Sequence, residues 1–168
     1  MNISIQPIII IMNDLTDAHK QLLNLCEQKL SNIKNNNMEE LSKVLNIERK
    51  YIQKIDQLET KRQKVIEEFI SRHNIPVVEK TASQLLQHLK NSNERVILEK
   101  QIVKLIEVIV QLRAIEQLNE ELLQQSMEFV QTSLDLFDPT MKNYNYNNHL
   151  SEQSSQSSKY RSIFDSKA

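Results

Sequence analysis

Apolar residues recur at spacings of three and four along most of this chain, the period of a helical stripe rather than of a strand. Ile8, Ile11, Leu15, Ala18, Leu22 and Leu25 form the first such stripe. Ser4 can cap free amides ahead of it, and Pro7 in a first turn loses no internal hydrogen bond, so a helix is expected through about residue 34. Asn35, Asn36 and Asn37 then interrupt the pattern. Asn37 and Glu40 have the spacing of a capping box, which opens a second helix at Met38 that should continue to about Arg72. Its seam reads Leu41, Leu45, Glu48, Ile52, Ile55, Glu59, Arg62, Ile66 and Phe69, a heptad frame with polar residues at three inward positions.

Pro76 disfavours helix in the residue before it and marks a second turn. Thr81 with Gln84 opens a short helix through Leu85, Leu86 and Leu89, and Asn91 with Glu94 opens another. This last helix should run to about Phe137, where Pro139 ends it. It carries Leu98, Ile102, Leu105, Ile109 and Leu112 in one frame and Leu123, Met127, Val130, Leu134 and Phe137 in another. One heptad plus four residues separates the frames, a stutter that locally unwinds a supercoil. The fold class expected is all-α: an elongated antiparallel bundle or coiled coil of three long helices plus one short helix. Residues 1–138 form the helical domain. Residues 139–168, rich in Asn, Ser and Gln, are expected to be a disordered tail, with Tyr160, Ile163 and Phe164 at helical spacing as an apolar motif within it.

At 1.5 Å per residue the first two helices measure roughly 50 Å each and the last roughly 65–70 Å. In an antiparallel arrangement the last helix draws level with the turn at residues 35–37 near residue 123. Leu123 to Phe137 then extend past their companions as an exposed apolar stripe, the candidate binding site. The alternative is that the register slides, or that two subunits in a homodimer cover each other's ends, and the stripe becomes ordinary core.

Composition narrows the chemistry. The 168 residues include no glycine, so phosphate-cradling glycine loops are excluded and left-handed turns fall to asparagine. Twenty-one basic and 22 acidic residues are interspersed, a formal charge of −1 that gives nucleic acid or an anionic membrane no strong field. The single cysteine, Cys26, forms no internal disulfide and suits a small core position. The apolar run from Ile8 to Met12 is too short to span a bilayer and lacks the flanks of a signal peptide, so a soluble cytoplasmic protein is expected.

His19, His73, His88 and His149 lack the spacings of di-iron bundles and zinc proteases, and no base, nucleophile or metal cluster can be assembled; no enzyme, metal or cofactor is expected. His19 reads as a surface or seam-edge residue. Glu59 and Arg62 read as a register-setting ion pair, and Glu116 and Asn119, near the stutter, as register, solvated-face or recognition groups.

Four stretches stand in a telling order: Ser4-Ile5-Gln6-Pro7-Ile8-Ile9 with Leu15, His19, Leu22, Leu23 and Lys29; Met38-Glu39-Glu40-Leu41; Glu48, Ile52, Ile55, Leu58, Glu59 and Arg62; and Asn119-Glu120-Glu121-Leu122-Leu123 with Ser126, Phe129 and Val130. In order, spacing and total length they resemble FlgN-type flagellar export chaperones. The stretch Ser162-Ile163-Phe164-Asp165 is similar to the endings of Gram-positive members. The resemblance implies a cytoplasmic chaperone of the hook-filament junction proteins FlgK and FlgL, which holds them unpolymerised and delivers them to the flagellar type III export gate. It also implies cargo binding at Asn119, Leu122, Leu123, Met127, Val130, Leu134 and Phe137, by accepting an amphipathic terminal helix. Export-gate docking would fall to Tyr144, with Tyr146 as rival. Set against this is a structural coiled-coil subunit or tether that self-associates and carries no cargo.

Overall fold

In a computed structural model of the chain, residues 4–76, 80–89 and 92–137 are described. Among them are four helices: α1 (Gln6–Lys34), α2 (Met38–His73), α3 (Ala82–His88) and α4 (Ser92–Phe137). The chain divides into two compact units, Met1–Asn119 and Glu120–Ala168. The expected capping by Asn91 and the whole tail, including Tyr144, Tyr146, Tyr160, Ile163 and Phe164, lie outside the described residues.

The first unit is built on an antiparallel hairpin. Ser4 Oγ accepts from the Gln6 amide at 3.3 Å, and Pro7 sits in the first turn of α1, where its missing N–H costs nothing. Asn37 caps α2 by accepting from the Glu40 amide at 3.3 Å, and Thr81 caps α3 in the same way from Gln84 at 3.2 Å. Among the described residues, both positions with positive φ are asparagines: Asn36 at φ 53° and Asn74 at φ 49°. Asn tolerates the left-handed region best among residues with a Cβ, and this chain has no glycine to offer. At the second corner the Ile75 amide reaches back to the Ile70 carbonyl at 3.2 Å, closing the end of α2.

Every residue of the expected α1 stripe is buried, together with Met12, Thr16, His19, Cys26 and Lys29. On α2 the inward phase differs from the expected one at a single place. Val44 is buried and Leu45 is exposed, so the seam runs Leu41, Val44 and Glu48 before rejoining Ile55, Ile66 and Phe69. The principal apolar cluster joins Ile5, Ile8, Ile9 and Met12 of the α1 region to Ile66, Phe69 and Ile70 of α2, Ala82 and Leu85 of α3, and Leu98 of α4. Fully burying an Ile, Leu or Phe contributes roughly 1.5–3 kcal/mol, so this cluster anchors the unit. Leu98 lies beside the start of α1, whereas Glu116 and Asn119 meet its later residues Cys26 and Lys29. Up to Asn119, α4 therefore runs parallel to α1 and antiparallel to α2.

In the second unit the described residues, 120–137, are the remainder of α4, and none of them is buried.

Candidate functional site

Within residues 120–137 a full rotation every 3.6 residues places Leu123, Met127, Val130, Leu134 and Phe137 on one stripe. Their exposures run from 42% at Leu123 to 90% at Phe137, and Leu122 is half-buried. Two further residues, Phe129 at 73% and Leu136 at 78%, belong to a second line seven residues apart with Leu122, beside the first. At about 100° per residue the two lines together cover roughly half the helix circumference, wider than a two-stranded coiled-coil seam needs. The sequence pattern pointed to the first line only. The heptad step from Leu122 to Phe129 to Leu136 was the signal for the second. The opposite side carries Glu121, Glu128 and Asp135, with Glu120 at the border, and residues 120–137 contain no lysine, arginine or histidine.

Asn119, expected among the cargo-binding residues, is instead buried at 2% exposure, where its side-chain amide donates to the Cys26 carbonyl at 3.0 Å. It belongs to the packing of the first unit. The reason is the phase of α4: counting onward from Leu112 by four and three reaches Glu116 and Asn119, so the inward seam continues through two polar residues.

Those two complete a buried polar cluster that the sequence pattern did not assemble. Lys29 Nζ lies 2.5 Å from Glu48 Oε1 and 3.2 Å from Glu116 Oε1. The Cys26 thiol donates to Glu116 Oε1 at 2.9 Å and lies 3.5 Å from Glu48 Oε1. Burial works against the Lys29 charge, but the Glu116 charge and the Glu48 hydrogen bond outweigh it and raise the ammonium pKa. Burial, reinforced by the Glu116 hydrogen bond and charge, pushes the Cys26 thiol far up, so it stays protonated and is no nucleophile. Cys26, Glu48 and Glu116 bring possible ligand atoms within 4.8 Å of one another. A metal would need the thiolate that this environment suppresses, and Lys29 already supplies a cation to both carboxylates. The cluster is a structural polar layer.

A second polar layer lies further along the hairpin. Glu59 accepts from Arg62, Nε to Oε2 at 2.8 Å and Nη2 to Oε1, a two-pronged pair within α2. Burial alone would raise the Glu59 pKa, yet the Arg62 hydrogen bonds and charge bring it below the usual range. His19, expected at the surface or seam edge, is buried, and its Nδ1 contacts the Leu15 carbonyl at 2.8 Å. Burial lowers its pKa against the opposing pull of that carbonyl and the Glu59 charge.

The first unit thus holds two polar layers inside its packing, and residues 122–137 of the second carry a wide apolar helix face in an all-helical protein. Comparison with known proteins makes this specific. Residues 1–153 match the family model described as FlgN protein, and the chain belongs to the FlgN family, whose members are non-enzymatic chaperones of flagellar export. It is similar to "Uncharacterized protein YvyG" of Bacillus subtilis (strain 168), 33% identical over 152 residues that cover 89% of this chain and 90% of that one. No solved structure gives a significant match. No described helix is long and apolar enough to cross a membrane.

Proposed function

We propose that the chain is a cytoplasmic export chaperone that binds the hook-filament junction proteins FlgK and FlgL through the apolar face of residues 122–137. An amphipathic terminal helix of the cargo lies along Leu122, Leu123, Met127, Val130, Leu134 and Phe137, with Phe129 and Leu136 widening the contact. Covering that helix prevents premature assembly, and the cargo is then handed to the export gate, with Tyr144 or Tyr146 as the docking residue. The observation that supports this reading most directly is the exposure of the whole stripe. Leaving several Leu, Met, Val and Phe side chains in water on one helix face favours a partner surface. Transfer at the gate requires release, so a moderate affinity with a fast off-rate suits the role.

The test is titration of purified FlgK and of FlgL against the chain and against Leu123→Asp and Val130→Asp. One-to-one binding that each substitution reduces at least tenfold, with helix content and thermal midpoint unchanged, is the expected outcome. Loss of helix in the same variants would make the stripe core. Self-association with no affinity for either cargo, read by light scattering, would favour the structural coiled-coil alternative.

A further inference from the structure

The uncovered stripe and the sequence beyond it are chemically matched. Residues 120–137 carry four acidic and no basic side chains around an exposed apolar face. Residues 159–167, Lys-Tyr-Arg-Ser-Ile-Phe-Asp-Ser-Lys, carry Lys159, Arg161 and Lys167 against the single acid Asp165. Tyr160, Ile163 and Phe164 stand at the spacing that a helix would bring onto one side. Everything needed for a short amphipathic ligand of opposite charge is present in the same chain. This stretch also lies outside residues 1–153, the part that matches the family model.

We propose that residues 159–167 are an intramolecular occupant of the 122–137 face, a stand-in that covers it until a cargo helix displaces it. Tyr160, Ile163 and Phe164 would cover part of the line Leu123, Met127, Val130 and Leu134, and Lys159 and Arg161 would lie toward Glu120, the acid at the border of that face, within the net negative field of residues 120–137. Reach is not limiting. Twenty-one residues separate Phe137 from Lys159, enough chain for about 70 Å at full extension, whereas the stripe from Leu123 to Phe137 is about 21 Å long. A linker of this length holds its two ends at millimolar effective concentration, so a segment with an intrinsic dissociation constant of order 0.1 mM would occupy the face roughly 90% of the time. Such weak coverage shields apolar surface from non-specific contact yet yields to a longer cargo helix. The proposal shares with the chaperone reading only the premise that this face accepts amphipathic helices.

Amide hydrogen exchange on the full chain tests it without any cargo. The expected result is that Ile163→Asp/Phe164→Asp raises exchange at residues 120–137 about tenfold and leaves α1 and α2 unchanged. A synthetic peptide of residues 157–168, added to that variant at millimolar concentration, should restore the protection, and Lys159→Glu/Arg161→Glu should give an intermediate rise. Equal exchange in the parent chain and the double variant overturns the proposal. Protection in the parent chain that disappears on dilution also overturns it, because the segment would then be covering a second copy. Failure in this assay combined with tight FlgK or FlgL binding would leave the chaperone reading standing, and the reverse outcome would remove the cargo while keeping the internal contact.

Discussion

Replacing Lys29 by Met keeps most of the side-chain volume and deletes a cation that faces both Glu48 and Glu116. The side chains of Lys29 and Glu48 are 11% and 6% exposed, so that contact is shielded, whereas Glu116 at 30% retains water and its share is partly screened. Removing one partner of a buried pair typically costs ~3–5 kcal/mol, because the other charge is left without compensation. With one of the two carboxylates partly solvated, the lower end applies, and Lys29→Met should lose about 3 kcal/mol. A small protein has only ~5–15 kcal/mol in all, so the change is readily measured by urea unfolding followed by far-UV circular dichroism. Lys29→Met/Glu48→Met should recover most of the loss, since an apolar pair of similar shape needs no compensation. The pH dependence gives a second readout. The folded-state pKa of Lys29 is raised, so the native state holds this proton more tightly than the unfolded chain; the stabilisation is complete below the ordinary lysine value of ~10.4 and is lost as pH rises through the folded value. Lys29→Met should lack that alkaline loss. A cost under ~1 kcal/mol for the single variant, or a double variant as unstable as the single, would refute the claim that the cluster is a shielded charge network.

Three further expectations follow from the geometry. The folded-state pKa of His19 is lowered by burial, so the unfolded chain takes up protons first and stability should fall as pH drops below ~6.5, by at most ~1.4 kcal/mol per unit, and His19→Gln should flatten that slope in denaturant titrations. Phe129→Ala, at an exposed position, should change folding stability by less than ~0.5 kcal/mol but weaken cargo binding about tenfold in calorimetry, and equal binding would remove Phe129 from the contact. Cys26, fully buried with a protonated thiol, should react with a maleimide on the order of a thousandfold more slowly than a free thiol until denaturant opens the bundle; rapid labelling of the native chain would contradict its placement.

Periodicity and punctuation made most of the helical framework legible. The α1 stripe from Ile8 to Leu25, the Asn37 and Thr81 caps and the end of α4 at Phe137 are all local, set by spacing of three and four and by which residues can cap or turn. The choice of Val44 over Leu45 was not local. Both fit a heptad started at Leu41, and packing against α1 decides between them, overriding the greater hydrophobicity of leucine. Lys29 stands four residues after Leu25, on the α1 stripe, yet its type argues for solvent, because lysine is seldom buried without a partner. Its partners lie 19 and 87 residues away, a separation over which pattern carries no information. Asn119 was placed among the cargo-binding residues by the resemblance; the seam of α4 runs on through Glu116 and Asn119, and only contact with Cys26 shows that those polar positions face inward. The stripe itself was readable at Leu123, Met127, Val130, Leu134 and Phe137. Its breadth was not, since Phe129 and Leu136 are out of phase with a two-stranded seam and look superfluous until their exposure is known.

The α1–α2 hairpin is fastened by different means toward its two extremities. Where α1 begins and α2 finishes, the fastening is hydrocarbon; toward the asparagine corner, the buried Leu41 and Val44 are joined by an ammonium between two carboxylates. Apolar contact weakens in proportion to the area that water reaches, whereas an ion pair weakens as soon as water raises the local dielectric. Leu41 and Val44, buried in the same seam as Glu48 and nearer the corner, therefore do more than pack: they keep water from the charges behind them.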